Sequence, residues 1–473
     1  MIPERFAPVL AEISDLARLF RSADRRLFLV GGTVRDMLLG IDTADLDFDA
    51  TTDARPDEIK RIVAPWADAV WTQGEKFGTI GARKGDRVYE ITTHRAEAYH
   101  PDTRKPEVEF ADAIETDLSR RDFTINAMAL EVTAESPTLV DPFDGVADLM
   151  SRTLRTPLDP DISFSDDPLR MMRAARFIAR LGMNPVPELV EAVRHMKDRL
   201  EIVSAERIRD ELDKLIVVDS PSTGLWFLVE TGLADLFLPE LPAMRLENDP
   251  IHRHKDVLTH TLAVIENVRP DAKGDFDFRI TRLAALFHDV GKPKTRGYLE
   301  GKGTTFHMHD VVGAKMTKKR LVSLRYPNDD VERIVELVRL HLRFHTYGMG
   351  WTDSAVRRYV TDAGPLLNEL NVLTRCDCTT RNERKAARLA RRMDELEERI
   401  AVLAAQEELK AIRPELDGVQ VMAHLGIGPS RDVGDALDFL LEIRLDEGLV
   451  GDDEIRRRLD DWWKARQAGV PQG

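Results

Sequence analysis

A chain of 473 residues is long enough for about three domains, each with a substantial hydrophobic core. Hydrophobic residues make up 43% of it and charged residues 32%, which is typical of a globular protein and excludes the disordered and membrane-spanning classes. The net charge of −15 disfavours a nucleic-acid partner at first sight, because phosphate binding depends on lysine and arginine, so the local distribution of charge must decide.

Residues 27–49 combine an apolar strand, a glycine pair that opens a helix, and a second strand with alternate aspartates. Alternate side chains share one face of a strand, so Asp45, Asp47 and Asp49 are expected to project together while the apolar residues between them pack into the core. Clustered carboxylates repel one another unless a cation lies among them, and oxygen ligands suit Mg²⁺. The pattern predicts a magnesium site at Asp45 and Asp47, with Glu90 as a third catalytic carboxylate or, alternatively, a solvent-facing glutamate.

The glycine pair Gly31 and Gly32 is predicted to cradle phosphate. A glycine turn lets backbone N–H groups approach a triphosphate, and the positive end of a helix beginning near Thr33 favours the anion. Arg35 lies in the first turn of this helix and is a candidate second phosphate contact. The alternative is a simple turn beside an acidic edge strand.

A second motif, Arg-Arg-Asp-Phe-Thr-Ile-Asn-Ala-Met-Ala, occupies residues 120–129. Together with the glycine turn and the aspartates it resembles the head domain of the nucleotidyltransferase superfamily. The match is specifically to the bacterial class II tRNA nucleotidyltransferases that add or repair the 3′ CCA end, and to their poly(A) polymerase relatives. In that family the second motif contacts triphosphate and ribose, which implies nucleotide-binding roles for Arg121, Asp122 and Asn126.

A helix is predicted after Ser165, because acidic residues and Pro168 start it. At about 100° per residue, four arginines fall on a stripe opposite the apolar residues: Arg170, Arg173, Arg176 and Arg180. The resembled family has a Glu-Asp-x-x-Arg motif here that hydrogen-bonds the incoming base, so Asp167 and Arg170 match the base readers. Position 166 is Asp rather than Glu and is assigned to helix capping. Arg173 and Arg176 are further nucleotide-binding candidates; the alternative is a solvated face.

A second chemical site is predicted where an apolar helix ends in His288-Asp289. Both residues can reach one metal ion, with His260 as third ligand and Asp377 as fourth. This order of residues resembles the HD phosphohydrolase superfamily. Mixed imidazole and carboxylate ligands suit a divalent transition metal, such as Ni²⁺ or Mn²⁺, that activates water for attack on phosphorus. The alternative is a core histidine and an unrelated helix-terminal pair.

Three further histidine and arginine features stay open. His309, which precedes Asp310, and His341 either extend the second site or bind substrate phosphate; the alternative is that they are surface histidines. The arginine-rich segment around residues 381–392 either belongs to a polar track on an otherwise acidic surface or pairs along one solvated helix, and no tRNA contact is assigned to it. This pairing would join Arg384, Lys385, Arg388, Arg391 and Arg392 to Asp394, Glu395, Glu397 and Glu398.

The two cysteines, Cys376 and Cys378, are too close for an ordinary disulfide and too few for a zinc site, so free thiols are expected. No apolar stretch is long enough to span a bilayer, and the first residues lack a secretory pattern. A cytoplasmic protein without a membrane partner is expected.

The resemblance implies an α+β protein: a small nucleotidyltransferase head with a mixed sheet over residues 1–150, followed by helical segments. These are an all-α neck at 151–245 that reads the base, an HD domain at 246–395 and a helical tail at 396–473. The implied activity is magnesium-dependent addition of CCA to tRNA from CTP and ATP, with phosphohydrolase activity in the HD domain. The alternatives are a poly(A) polymerase, an enzyme adding only CC or A, and a non-catalytic RNA- or nucleotide-binding protein.

Overall fold

The computed structural model describes residues 3–41, 48–100, 103–246, 256–300, 303–347, 350–380, 382–406, 409 and 412–468. The chain divides into two compact units, Met1–Pro239 and Glu240–Gly473. Asp45 and Asp47, the predicted magnesium ligands, lie outside the described residues.

The first part of unit one is an α+β domain. Its elements are α1 (Ala7–Ser22), β1 (Leu27–Val30), α2 (Gly32–Leu39), β2 (Phe48–Thr52), α3 (Pro56–Val63), β3 (Ala69–Trp71), β4 (Thr79–Lys84), β5 (Arg87–Thr93), β6 (Arg95–His100), β7 (Thr103–Phe110), α4 (Ile114–Ser119), β8 (Ala129–Glu131), β9 (Thr138–Val140), α5 (Gly145–Ser151) and β10 (Thr153–Leu154). Seven strands form one sheet in the order β3-β4-β5-β2-β1-β8-β9. Strands β2 and β5 are parallel and the other neighbours antiparallel, which confirms the predicted mixed sheet.

Strand β1 is central in this sheet, with β2 and β8 on its two sides. All four of its residues are buried, because the strand is covered on both faces as well as paired on both edges. Helix α2 begins at Gly32, one residue before the predicted start, and ends where Gly40 adopts the left-handed conformation that closes many helices. The buried strand therefore holds the glycine turn at a fixed point of the sheet.

The remainder of unit one is helical apart from one short strand pair. Its elements are α6 (Pro160–Asp166), α7 (Leu169–Leu181), β11 (Asn184–Pro185), α8 (Pro187–Met196), α9 (Ala205–Ile216), α10 (Pro221–Glu230) and α11 (Ala234–Phe237). The two-residue strands β10 and β11 pair in parallel, which the all-helical prediction did not include. Asp166 ends α6 rather than capping α7. The N–H of Leu169 instead donates to Asp167 Oδ1 at 3.2 Å.

Unit two is mostly helical. Its elements are α12 (Glu240–Ala243), α13 (Val257–Asn267), α14 (Phe278–Phe287), α15 (Lys292–Thr295), β12 (Arg296–Leu299), β13 (Gly303–Phe306), α16 (His309–Ser323), α17 (Asn328–Leu340), α18 (Asp353–Ala363), α19 (Leu367–Asp377), α20 (Glu383–Gln406), α21 (Gly418–Leu425), α22 (Arg431–Glu447) and α23 (Asp452–Gln467). The strands β12 and β13 form a hairpin that the sequence did not predict. The last three helices share a core that includes Val421, Leu440 and Leu459.

The predicted pairing along α20 is wrong. Asp394 and Glu397 each accept a hydrogen bond from Arg375 of α19 at 2.8 Å, so these acids are engaged across helices rather than along their own. Cys376 and Cys378 are free thiols, as predicted. None of the helices within the described ranges combines the length and the apolar character needed to cross a lipid bilayer. The predicted fold class, a mixed-sheet head followed by helical segments, is confirmed.

Candidate active site and metal centre

The glycine turn lies between two guanidinium groups. Gly31 has φ 65° and ψ −129°, a backbone conformation that essentially only glycine adopts. A Cβ atom placed on Gly31 would lie 3.0 Å from Arg121 Nη1, and one on Gly32 would lie 3.5 Å from Arg35 Nη2. Gly31 is therefore required by the backbone conformation of the turn, whereas a Cβ on Gly32 would make only an ordinary contact with Arg35.

Arg35 is buried and already holds two partners. Its guanidinium donates to Asp36 Oδ1 and Oδ2 at 2.8 and 2.9 Å, and its Nη1 donates to Asn126 Oδ1 at 2.6 Å. Burial lowers the pKa of the Arg35 guanidinium, and the nearby Asp36 carboxylate partly offsets this decrease. Three predicted nucleotide-binding positions, Gly32, Arg35 and Asn126, are thus brought together, but Arg35 is held largely by protein groups.

Arg121 is anchored by a buried carboxylate that the sequence analysis missed. Asp117 on α4 accepts Arg121 Nη2 at 3.1 Å and Arg120 Nη2 at 2.9 Å, and it also accepts the backbone N–H of Arg95 at 3.2 Å. Burial alone raises the pKa of a carboxyl, but Arg121 and Arg120 hold the pKa of Asp117 well below its usual range. Its spacing of three and four residues before the arginines is the helical signal that could have identified it.

Asp117→Asn is expected to destabilise the fold and weaken nucleotide binding. Removing one partner of a buried ion pair typically costs about 3–5 kcal/mol, because the remaining charge stays buried. Arg121 would also lose the contact that holds it beside Gly31, so we expect KM for the nucleotide to rise more than KM for the acceptor. Urea unfolding and steady-state kinetics measure the two effects. An unchanged free energy of unfolding would contradict this role.

A network of buried ion pairs joins the second motif to the helices that follow it. Asp122 Oδ1 accepts Asn126 Nδ2 at 2.9 Å, and Asp122 Oδ2 accepts Arg173 Nε at 2.8 Å. Glu211 of α9, which sequence analysis did not assign, accepts Arg176 Nε at 2.7 Å. Burial alone would raise the pKa of Asp122, but Arg173 and Asn126 lower it to about 2. Asp122 is therefore an ionised positioning group for Asn126 and Arg173.

The predicted arginine stripe on α7 exists, but it is not a solvated face. Arg170 and Arg176 are buried, and Arg173 is paired with Asp122. Arg180, the most exposed of the four, lies 3.6 Å from Asp36 Oδ2. The four arginines join α7 to Asp36, Arg120 and Asp122 of the first domain and to Glu211 of α9, rather than facing water.

The two predicted base readers lie in one turn at the start of α7, where the backbone N–H of Arg170 donates to the Asp167 carbonyl at 3.0 Å. Asp167 Oδ2 accepts Arg207 Nη2 at 3.0 Å. The Arg170 guanidinium donates to Ser163 Oγ at 2.8 Å and to the Arg120 carbonyl at 2.5 Å. Arg170 thereby touches the residue next to Arg121.

The described part of the acidic face contains Asp49 and Glu90. Both are exposed and occupy paired positions in the parallel strands β2 and β5. Phe48 and Ala50 on either side of Asp49 are buried, as alternation predicts, but Thr51 and Thr52 are buried as well, so the alternation ends at Ala50. The structure thus places Glu90 on the face that Asp49 shares, while Asp45 and Asp47 fall outside the described residues.

The four predicted ligands of the second site converge at the ends of three helices in unit two. His260 Nε2 lies 2.9 Å from Asp377 Oδ1 and 3.5 Å from Asp289 Oδ2, and His288 Nε2 lies 3.2 Å from Asp289 Oδ2. His288 and Asp289 are almost fully buried. Four groups from three separate segments of the chain are therefore gathered around one point.

His309 and His341 join the same cluster through Asp289. His309 Nε2 lies 3.4 Å from Asp289 Oδ1 and 3.2 Å from His341 Nε2. Asp289 thus belongs to two groups of potential ligands, one with His260 and His288 and one with His309 and His341. The interpretation of His309 and His341 as surface histidines is wrong, because both are buried.

The histidines are oriented for metal binding by their other ring nitrogens. The Nδ1 atoms of His288, His309 and His341 lie 2.8, 2.8 and 2.6 Å from backbone carbonyl oxygens, and His260 Nδ1 lies 2.8 Å from Thr379 Oγ1. A carbonyl can only accept, so the Nδ1 atom carries the proton and the Nε2 lone pair points into the cluster. This donor set fits a divalent metal ion.

The electrostatics of the cluster also suit a cation. Burial alone lowers the pKa of a histidine, but Asp289 and Asp377 raise the pKa of His288 above its usual range. Burial lowers the pKa of His341 to about 4, so this ring is neutral near pH 7 and can act as a ligand. Lys292 Nζ donates to Asp289 Oδ2 at 2.6 Å and offsets part of the negative charge of this carboxylate.

Three known protein-family models match the chain. The Poly A polymerase head domain matches residues 27–155, the probable RNA and SrmB-binding site of polymerase A matches 182–244, and the HD domain matches 257–404. Their order is the order of the predicted sites along the chain.

Curated relatives align over nearly the full length. The A-adding tRNA nucleotidyltransferase of Deinococcus radiodurans is 33% identical over 454 residues, 93% of this chain and 96% of the relative. The CC-adding tRNA nucleotidyltransferase of Thermus thermophilus is 32% identical over 461 residues, 94% and 96% of the two chains. The CCA-adding enzyme of Levilactobacillus brevis is 39% identical, but over 49% of this chain and 55% of its own.

A solved structure shares the fold. The Bacillus stearothermophilus CCA-adding enzyme, determined in complex with CTP, has a TM-score of 0.70 and 22% identity, with 99% of this chain and 100% of that chain covered.

Proposed function

The chain belongs to the tRNA nucleotidyltransferase family, and from this membership we propose that it adds or repairs the 3′-terminal CCA of tRNA, using CTP and ATP. In this reaction the 3′-hydroxyl oxygen of tRNA forms a bond to the α-phosphorus of the nucleotide, and pyrophosphate leaves. Magnesium-dependent incorporation of labelled nucleotide into a tRNA that lacks CCA tests the proposal.

The glycine turn is the observation that carries this proposal. At Gly31 the backbone is open to an anion, and Arg121 and Arg35 stand beside it with Nη atoms directed at the glycine pair. In our mechanism the N–H groups at the start of α2 and the Arg121 guanidinium bind the triphosphate. Asp117 and Asp122 are positioning residues that hold Arg121, Asn126 and Arg173 in place.

We assign the catalytic metal site to Asp45 and Asp47, with Glu90 as a third carboxylate on the same face. Mg²⁺ bound there would neutralise the triphosphate and activate the 3′-hydroxyl. The exposed positions of Asp49 and Glu90 support an acidic face at this edge of the parallel strand pair. This assignment predicts that turnover depends on a divalent cation.

We assign base selection to Asp167 and Arg170, the acceptor and the donor at the start of α7. A carboxylate and a planar guanidinium present a fixed pattern of acceptors and donors to a base edge. The contacts of Arg170 with Ser163 and with the Arg120 carbonyl hold its side chain in one orientation. Arg173 and Arg176, farther along α7, pair with Asp122 and Glu211 and hold the helix in place.

Arg170→Ala is expected to reduce nucleotide selectivity more than overall turnover. A hydrogen bond to a charged group is worth about 1.5–3 kcal/mol, which corresponds to roughly 10- to 150-fold in discrimination. The ratio of kcat/KM for CTP over UTP measures the effect. Arg194→Ala, on the exposed surface of α8, is the matched control. An unchanged preference for CTP in Arg170→Ala would place base selection elsewhere.

A partial activity is the second candidate function. Two relatives that align over more than nine-tenths of this chain are named as an A-adding and a CC-adding tRNA nucleotidyltransferase, whereas the CCA-adding relative from Levilactobacillus brevis aligns over about half of it. A poly(A) polymerase would differ from a CCA-adding enzyme because it would not stop after three additions. A non-catalytic nucleotide-binding protein would show no turnover. The nucleotides incorporated and the length of the product distinguish these alternatives.

We propose that the histidine and aspartate cluster hydrolyses a phosphoester. His260, His288, Asp289 and Asp377 would hold a divalent metal ion, such as Ni²⁺ or Mn²⁺, and His309 and His341 would offer further ligands beside Asp289. Bound metal would supply a water nucleophile for attack on phosphorus. The carbonyl contacts of the Nδ1 atoms support this role, because they leave the Nε2 lone pairs available.

We propose four functional domains with the boundaries expected from the sequence: head at 1–150, neck at 151–245, HD domain at 246–395 and tail at 396–473. The family models at 27–155, 182–244 and 257–404 support the first three.

A further inference from the structure

The first half of α20 carries an exposed basic surface without ion-pair partners. Arg384, Lys385, Arg388 and Arg391 are all exposed. Throughout the part of the chain that the structure describes, no carboxylate pairs with any of these four side chains. The chain has a net charge of −15, so a group of four neighbouring cations with no ion-pair partner among the described residues differs in charge from the protein as a whole.

The three arginines among these four cations form a line along the helix, here called the basic stripe: Arg384, Arg388 and Arg391. Their spacing of four and three residues places them on one face, about 6 and 4.5 Å apart along the axis at 1.5 Å per residue. Such a row of planar guanidinium groups matches a row of phosphates better than it matches a single small anion.

Two acids in the second half of α20 are paired with a neighbouring helix rather than with the stripe. Asp394 and Glu397 bind Arg375 of α19, and Arg399 binds Asp353 of α18. These contacts fasten the second half of α20 to its neighbours and leave its first half free to bind an anion.

The stripe adjoins the histidine and aspartate cluster. Helix α20 starts six residues after Asp377, and Arg392 Nη2 donates to the Tyr347 carbonyl at 2.9 Å, close to the segment that follows His341. The charges of both α20 and the cluster act on His345 in that segment. Burial lowers the pKa of His345, Asp377 raises it, and Arg392 and Lys385 lower it further. The cations and a metal-ligand carboxylate are thus within electrostatic reach of one imidazole.

We propose that the basic stripe binds the phosphate backbone of RNA and guides an RNA end to the histidine and aspartate cluster. The inference rests on the proposed tRNA substrate and names the substrate class of the second site as a polynucleotide rather than a free nucleotide. Charge complementarity favours RNA, because a phosphate backbone supplies evenly spaced anions and the stripe supplies evenly spaced cations.

The test is tRNA binding by the full chain as a function of salt. The variant Arg384→Gln/Arg388→Gln/Arg391→Gln should bind a tRNA lacking CCA roughly tenfold more weakly near 0.1 M salt. The slope of log K against log salt should become shallower by about 2–3, since each phosphate contact contributes about 0.7–0.9. The control Arg18→Gln/Arg339→Gln/Arg457→Gln makes the same change in net charge at arginines that pair within their own helices and lie outside residues 182–244.

Cross-linking locates the contact. p-Benzoylphenylalanine placed at exposed Ala387, beside the stripe, should cross-link tRNA on irradiation, whereas the same group at Glu398 in the acidic half of α20 should not. Excess unlabelled tRNA should abolish the cross-link, and duplex DNA at equal phosphate concentration should not. Equal competition by duplex DNA would show a general polyanion surface and overturn the inference.

The outcomes separate this inference from the proposed function. If wild-type protein adds nucleotides to tRNA but the stripe variant keeps wild-type affinity and salt slope, the stripe inference alone is wrong. If wild-type protein neither binds nor extends tRNA, both the proposed function and the inference fail.

Discussion

Asp47→Ala is expected to abolish nucleotide incorporation while the protein remains folded. If Asp45 and Asp47 hold the metal, the variant loses several kcal/mol of transition-state stabilisation, or roughly a thousandfold or more in kcat. Removing one of several clustered carboxylates relieves repulsion in the absence of metal, so we expect little loss of stability. Incorporation of labelled nucleotide into tRNA lacking CCA, at saturating Mg²⁺, measures the effect.

Glu90→Gln provides the matched comparison for this prediction. It keeps the size of the side chain and removes its charge, and we expect a smaller but clear loss of turnover. Near-wild-type turnover of Asp47→Ala in Mg²⁺, with an unchanged urea midpoint, would show that the catalytic carboxylates lie elsewhere.

His288→Ala is expected to remove hydrolysis of phosphoesters while nucleotide addition stays within a few fold. His288 is fully buried, and its Nε2 lies near both Asp289 and Asp377, so the variant leaves a gap at the centre of the ligand set. Hydrolysis of a phosphomonoester and of a 2′,3′-cyclic phosphate, with Ni²⁺, Mn²⁺ and Mg²⁺ supplied in turn, is assayed on the preparation used for nucleotide addition. His307→Ala, an exposed histidine outside the cluster, is the control.

Two results would contradict the division into two sites. A folded His288→Ala protein that cannot add nucleotides would show that the cluster takes part in the transferase reaction. Wild-type protein that binds no transition metal and hydrolyses no phosphoester would limit the HD domain to a structural role.

The local features of the fold follow from local sequence. The glycine pair requires a turn, the apolar run at 27–30 forms a buried strand, and the arginine period on α7 predicts one helical face. What that face contacts could not be predicted, because its acidic partners lie far away in sequence. Asp122 is 51 residues before Arg173, and Glu211 is 35 residues after Arg176.

The second site shows the same limit. The order of His260, His288, Asp289 and Asp377 predicts a metal centre through its resemblance to a family. Only the packing of α16 and α17 reveals that His309 and His341 turn inward to Asp289. On α20 the rule of pairing at three and four residues gave the wrong partners, because Arg375 on another helix is nearer to the acids in space.

Nucleotide addition to defined tRNA ends tests the central claim most directly. Purified protein is incubated with three transcripts of one tRNA, ending before CCA, after C and after CC, with each of the four nucleotides alone and with CTP plus ATP. We expect two additions from CTP, one from ATP on the transcript ending in CC, and a stop after three in the mixture. An enzyme that incorporates ATP on the last transcript but no CTP on the first two, or CTP on the first two but no ATP on the last, would be a partial enzyme. No incorporation on any transcript with Mg²⁺ would contradict the account.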